Sequence, residues 1–189
     1  MSAGQPQVFD AAAFAGWVSG ASQALPETLH GVTQDSRSVT PGCLYVALRG
    51  ERFDGHDFVA QALRAGAAAA LVEEAWQAPQ AAWPLIRVRD TRQALCEAAR
   101  AWRLQSRALI VGLTGSSGKT TTKEMSAALF SAGGRVCATQ GNLNNEIGLP
   151  LSLLTLAPDT AYGIFELGSS HPGEIARLAD MLRPRAAII

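Results

Sequence analysis

The chain has 189 residues, 48% of them hydrophobic and 17% charged, with sixteen basic side chains balanced by sixteen acidic ones. That composition describes one large or two small globular domains and excludes a disordered tail, and zero formal charge argues against a nucleic-acid-binding surface. No run reaches the ~18 apolar residues of a membrane span and no charged-then-apolar leader opens the chain, so a cytoplasmic protein without membrane insertion is expected.

In chain order, Asp10 is placed to cap a short helix through Trp17. Extended segments follow at 31–34 and 43–48, the second introduced by the Pro41-Gly42 turn. Residues 56–65 carry helical spacing (Phe58, Ala62, Leu63) and stop at Gly66. Strands are expected at 68–72 and 85–88, with Pro79 and Pro84 marking the loop between them. Asp90 then caps an amphipathic helix to about Gln105, with Leu95, Ala98, Ala99 and Trp102 on one face. A domain boundary is placed near Ser106, giving domains 1–106 and 107–189. Cys43, Cys96 and Cys137 are odd in number and widely spaced, so they read as small buried apolar groups and not as disulfides or zinc ligands.

The second segment alternates strand and helix: strand 108–113, helix 119–132 ending at Gly133-Gly134, strand 135–138, an Asn-rich loop 141–145, and a short helix near 150–154. Strand 161–167, helix 172–182 and a strand from 186 complete it. This order predicts a parallel sheet with right-handed crossovers. The fold class is therefore α/β, a small mixed domain followed by the first part of a parallel-sheet nucleotide-binding domain. The chain stops inside its last strand, so a longer protein is expected, with the first domain able to fold unaided.

Only two lysines occur in the chain, and one lies in Thr114-Gly115-Ser116-Ser117-Gly118-Lys119-Thr120-Thr121, between strand and helix. Glycines there let backbone N–H groups close around phosphates, Lys119 reaches the β/γ oxygens and the Thr120 hydroxyl is a Mg²⁺ ligand. Residues 115–121 are thus the expected triphosphate-binding loop. It departs from the usual spacing, because Leu113 stands where the first glycine belongs and Gly115 supplies the early turn. Glu166 follows a strand, where open parallel sheets place their ligands, and is a second candidate for Mg²⁺.

The phosphate loop, the Asn-rich loop and Glu166-Leu167-Gly168 together resemble the Mur ligases of peptidoglycan synthesis. The first segment agrees: Asp35-Ser36-Arg37, Pro41-Gly42, Gly50 and Asp54-Gly55-His56 are similar to the UDP-sugar-binding domain of that family. Within it, the strings at 114–124 and 141–150 look most like the D-alanyl-D-alanine-adding branch. The resemblance implies an ATP- and Mg²⁺-dependent amide-forming ligase, with UDP-N-acetylmuramoyl-tripeptide and D-alanyl-D-alanine as substrates, acting as a monomer through an acyl phosphate. It implies catalytic roles for Lys119 and Glu166, and metal contacts from Thr120 and Glu166. Ser36, Arg37, Asn144 and Asn145 would touch substrate. The family's second-metal His, carbamylated lysine, most base contacts and C-terminal domain would lie after Ile189.

Several of these residues also have plain structural readings. Asp35-Ser36 and the Asn cluster suit ordinary turns, His56 a helix start, and His171 a cap or an exposed side chain. The tripeptide-forming Mur ligase, folylpolyglutamate synthetase and a nucleotide-binding switch are the rival functions. A GTPase would need Asn-Lys-x-Asp, which is missing from the sequence.

Overall fold

A computed structural model describes residues 6–189 and divides into two compact units, one ending at Ala98 and the other spanning Ala99–Ile189. In the first unit, β1 (Val8–Asp10) runs directly into α1 (Ala11–Trp17), followed by β2 (Ala21–Gln23) and β3 (Thr28–His30). The Asp10 carboxylate accepts the Ala13 N–H at 2.7 Å and starts α1 as its sequence position predicts. β1 and β3 pair antiparallel with Phe9 opposite Leu29. Both are buried, and Phe9 meets Phe14 edge-on at 5.6 Å.

β4 (Val32–Thr33), β5 (Leu44–Val46), β6 (Ala69–Glu73) and β7 (Leu85–Val88) form a parallel sheet to which β2 adds antiparallel, in the order β2-β7-β6-β5-β4. All of β5 and most of β6 are buried, the mark of strands covered on both faces. Cys43, Tyr45, Ala47, Val59, Ala62 and Val72 share one core cluster. β1, β2 and β3 carry no readable strand pattern. Each has three residues, only the centre of β1 and of β3 is buried, and β2 is exposed throughout.

The helix expected over 56–65 divides into a 3-10 turn at Gly55–Phe58 and α2 (Val59–Arg64). The break arises because Asp54 already accepts the His56 N–H at 2.9 Å, and Gly55 is held by its own N–H on the Leu48 carbonyl at 2.8 Å. α3 (Thr91–Gln105) starts where Asp90 accepts the N–H groups of Arg92 and Gln93 at 2.8 and 3.0 Å, and its Thr91 hydroxyl donates to the buried Ala47 carbonyl.

The second unit contains β8 (Leu109–Leu113), α4 (Lys119–Phe130), β9 (Val136–Ala138), α5 (Gly148–Leu153), β10 (Tyr162–Glu166), α6 (Glu174–Leu182) and β11 (Ala186–Ile188). Its sheet is parallel throughout, in the order β11-β8-β10-β9. α6 begins at Glu174 and not at Pro172, because Gly173 takes a left-handed backbone (φ +86°) that a helix cannot continue through. Among the described residues, no helix is long and apolar enough to cross a membrane.

Gly55 has no room for a side chain: a Cβ there would lie 2.6 Å from the Leu48 nitrogen and 2.7 Å from its carbonyl oxygen. Gly55→Ala is expected to destabilise the protein by about 1–3 kcal/mol in urea unfolding, since backbone atoms cannot rotate away. A midpoint equal to the parent's would show that this turn shifts freely.

Candidate functional site

The parallel register of the second sheet builds the site. Leu113 at the end of β8 pairs with Glu166 at the end of β10, so the loop after one strand and the carboxylate of the other leave the same edge. Thr114 is tied on both sides: its N–H donates to the Ile188 carbonyl at 3.0 Å and its hydroxyl to the Leu167 carbonyl at 3.0 Å. From this anchored residue the loop turns through Gly115 (φ +138°) and Gly118 (φ +77°), conformations that a side chain disfavours. Ser116, Ser117, Gly118 and Thr121 are exposed.

Lys119 opens α4 and its ammonium closes back over the loop onto the Gly115 carbonyl at 2.5 Å. The Thr120 hydroxyl faces Glu166 Oε2 at 3.4 Å. The sequence-predicted pair Thr120 and Glu166 thus meets in space, beside the loop that carries Lys119.

Glu166 is 2% exposed, and its Oε1 is buried with no hydrogen-bond donor. The Lys123 ammonium stands 3.5 Å from that oxygen. Lys123 is the one fully buried residue of α4, at 3% exposure. It donates to the Thr139 carbonyl at 2.9 Å and pairs with Glu124 at 2.9 Å. Thr139 is buried too, and its hydroxyl accepts the Glu166 N–H at 2.9 Å. Thr114 and Lys123 lie inside the string at 114–124 but had no role assigned from sequence, and Thr139 was not singled out. The available signal was the lysine count: both lysines of the chain lie four residues apart on one helix, where i and i+4 share a face.

The Asn loop is fastened to the same region. The Asn144 carbonyl accepts the Gly168 N–H at 2.8 Å, and a Cβ on Gly168 would lie 2.8 Å from Asn144 Oδ1. Asn145 Oδ1 accepts the N–H groups of Ile147 and Gly148 at 3.1 and 2.8 Å, which starts α5. His171 is an exposed side chain 3.1 Å from Glu174, whose carboxylate also takes the N–H groups of Ser170 and His171. These backbone donors, with the imidazole, hold the Glu174 carboxyl below the usual range.

Ser36 and Arg37 belong to the first unit. Arg37 is extensively exposed and forked onto Asp35, with Nε at 2.9 Å from Oδ1 and a terminal nitrogen at 2.7 Å from Oδ2. Asp35 Oδ1 also accepts the Arg37 N–H at 2.9 Å, closing a turn in which Ser36 is half-buried. His56 is a buried structural residue: Nε2 accepts the Glu73 N–H at 3.0 Å, so the ring proton sits on Nδ1, 2.5 Å from Asp54. Arg49 joins this group, pairing with Asp54 and Glu73 at 3.1 and 3.2 Å.

The donors at the loop fit a phosphate chain with a hard cation. Gly115 and Gly118 leave backbone unobstructed, Lys119 brings positive charge, and Thr120 and Glu166 offer two oxygens on one side. Among the described residues no group of three or more His, Cys, Asp or Glu side chains converges. A cation here would therefore rest on few protein oxygens plus phosphate and water, the pattern of Mg²⁺.

The profile of the Mur ligase family catalytic domain matches residues 28–103, and that of the Mur ligase middle domain matches residues 113–189. The chain belongs to the Mur ligase family. It is 49% identical over 172 residues to the UDP-N-acetylmuramoyl-tripeptide--D-alanyl-D-alanine ligase of Escherichia coli (strain K12), covering 91% of this chain and 37% of that protein. The crystal structure of MurF from Acinetobacter baumannii superposes with a TM-score of 0.89 at 35% identity, over 97% of this chain and 41% of that one. The Thermotoga maritima MurF structure, which is in complex with ADP, matches with a TM-score of 0.71 at 38% identity, over 82% and 35% of the two chains. This Mur ligase chain thus spans little more than a third of the length of the curated relatives it matches.

The hydrogen bonds from the Arg37 side chain and backbone pull the Asp35 pKa down to about 2. A depressed carboxylate favours the folded state above its ordinary pKa, and this contribution is lost as pH falls through about 2. Carboxyl NMR titration is expected to place the Asp35 midpoint near 2, returning toward the ordinary carboxylate range in Arg37→Ala. An unmoved midpoint in the variant would show that Arg37 is not its partner in solution.

Proposed function

We propose that this chain is the UDP-substrate-binding and ATP-binding portion of an ATP-dependent ligase that joins D-alanyl-D-alanine to UDP-N-acetylmuramoyl-tripeptide, in the cytoplasmic stage of peptidoglycan precursor synthesis. The observation that carries the reading is the meeting of the Thr120 hydroxyl and the buried Glu166 carboxylate beside the phosphate loop. In this reading residues 1–106 bind the UDP-muropeptide and 107–189 bind ATP. Support for the choice among ligases comes from the 49% identity to the Escherichia coli enzyme of that name, and for the nucleotide from the ADP complex of the Thermotoga maritima relative.

Residues 115–121 would receive the phosphates on backbone N–H groups, with Lys119 released from Gly115 to reach the β/γ oxygens. Thr120 and Glu166 would hold Mg²⁺, which when bound offsets charge on the transferring phosphoryl group. The substrate carboxylate oxygen attacks the γ-phosphorus, the bond to the β-phosphate oxygen breaks, and ADP leaves. The amine of D-alanyl-D-alanine then attacks the acyl carbon of the resulting acyl phosphate, giving the amide, inorganic phosphate and a proton. Asn144, whose carbonyl pins the segment after Glu166, and Asn145, which starts α5, would place the Asn loop beside the substrate phosphates. Ser36 and Arg37 would meet the UDP diphosphate. Arg37 would then exchange its fork on Asp35 for the ligand or share it, at little cost because the pair is exposed.

In the protein made from its complete reading frame, ¹⁸O in the substrate carboxylate is expected to appear in inorganic phosphate, one atom per turnover. Release of AMP, or phosphate without label, would overturn the acyl-phosphate reading. Lys119→Ala is expected to lower turnover roughly 10²–10³-fold or more, with thermal unfolding little changed, because its ammonium meets only a loop carbonyl. Near-normal turnover would place the nucleotide elsewhere.

A further inference from the structure

We infer that Lys123 is a positioning residue for Glu166: it holds Oε1 of the buried carboxylate so that Oε2 is presented to Thr120. The inference rests on the proposed nucleotide and metal role of Thr120 and Glu166. It concerns a side chain one helical turn beyond the lysine of the phosphate loop.

The geometry is specific. Glu166 is 2% exposed, and its two oxygens have different surroundings: Oε2 lies 3.4 Å from the Thr120 hydroxyl, whereas Oε1 receives no hydrogen bond. The group facing Oε1 is the Lys123 ammonium at 3.5 Å. That ammonium is itself held, donating to the Thr139 carbonyl at 2.9 Å and pairing with Glu124 at 2.9 Å. Thr139 closes the arrangement by accepting the Glu166 N–H on its hydroxyl, and its own N–H donates to the Ile164 carbonyl at 3.0 Å. Lys123, Thr139 and Glu166 are thus tied from three elements, α4, the end of β9 and β10. A buried carboxylate deprived of its counter-charge turns toward water or another partner, because an unpaired buried charge is strongly disfavoured. Lysine is otherwise almost never fully buried, and this chain uses arginine at every basic position except 119 and 123.

Two effects of removing Lys123 oppose each other. By Coulomb's law alone, loss of a positive charge near Glu166 tightens binding of a divalent cation. Loss of the hold on Oε1 lets the carboxylate leave its place facing Thr120 and weakens binding. The positioning role requires the second to win. Its test is a Mn²⁺ titration of the ADP complex, followed by the electron paramagnetic resonance signal of free Mn²⁺, on the protein from its complete reading frame. Lys123→Met is expected to weaken Mn²⁺ binding tenfold or more, while ADP affinity measured in EDTA changes less than threefold. Lys123→Gln, which keeps a donor for the Thr139 carbonyl, is expected to show the same loss and serves if the methionine variant does not fold. Glu124→Gln, altering only the exposed partner, is expected to stay within threefold of the parent. Unchanged or tighter Mn²⁺ binding in the Lys123 variants would overturn the inference, as would a parallel loss of ADP affinity in EDTA. A parent protein that takes up no ADP would instead overturn the nucleotide reading on which this one rests.

Discussion

Burying a carboxylate at the end of a central strand is the constraint around which the second unit is arranged. Glu166 gives up hydration, and only part of that loss is returned by hydrogen bonds, since Oε1 has no donor. The remainder must come from charge, which explains why the one buried residue of α4 is a lysine and not an aliphatic side chain. Lys123 in turn needs acceptors for its own donors, and the carbonyl of Thr139 on the neighbouring strand provides one. A polar group of this kind adds little to stability compared with an apolar replacement, but its geometry is demanding. In this protein that geometry fixes one oxygen of Glu166 toward Thr120.

The parallel sheet supplies the frame that makes such a local arrangement possible. Its register sets Leu113 level with Glu166 and with Ile188, and β8 and β10 end together. Thr114 links the outgoing loop to both neighbouring strands, through its backbone to Ile188 and its side chain to Leu167. Only after this anchor does the chain enter the glycine turns, so the largely exposed Gly-Ser-Ser-Gly segment is short and tethered at its root. The Asn loop is secured at the same sheet edge, just past β10, where the Asn144 carbonyl takes the Gly168 N–H and the missing Cβ of Gly168 admits the Asn144 side chain. Leu167 and Gly168 after the carboxylate thus make one contact to each loop.

The first unit follows a different logic, with its polar residues serving the fold. His56 is buried between Asp54 and the Glu73 backbone, and Arg49 spans Asp54 and Glu73 from outside, so the segment after β5 is bound to the end of β6. Burial alone would raise the Asp54 pKa, but the His56 backbone and ring donors outweigh it and leave the carboxyl lowered. Ser36 and Arg37, by contrast, occupy a turn whose ion pair is solvated and exchangeable. That difference separates a histidine committed to structure from an arginine held only by a solvated pair, although the family resemblance rested on both segments.

Local chemistry determined much of this protein before any tertiary contact was considered. Asp10 and Asp90 cap the helices they precede, the strand at 85–88 falls where its apolar run lies, and the Gly-Ser-Ser-Gly-Lys-Thr string sits between strand and helix. These features are legible because their causes are short-range: a side-chain oxygen three residues from an N–H, or a left-handed turn that glycine permits. The three short strands at the start were not legible, since pairing across the chain and not side-chain alternation makes them strands. Thr120 and Glu166 were legible as candidates, but the contact between them and the residues behind it were not. Glu166, Thr120, Lys123 and Thr139 are separated by up to 46 positions, and no local rule says which oxygen a lysine on one helix will meet on a distant strand. Tertiary structure decided that, because parallel pairing sets the strand ends level and a buried charge must find its counter-charge within a few ångströms.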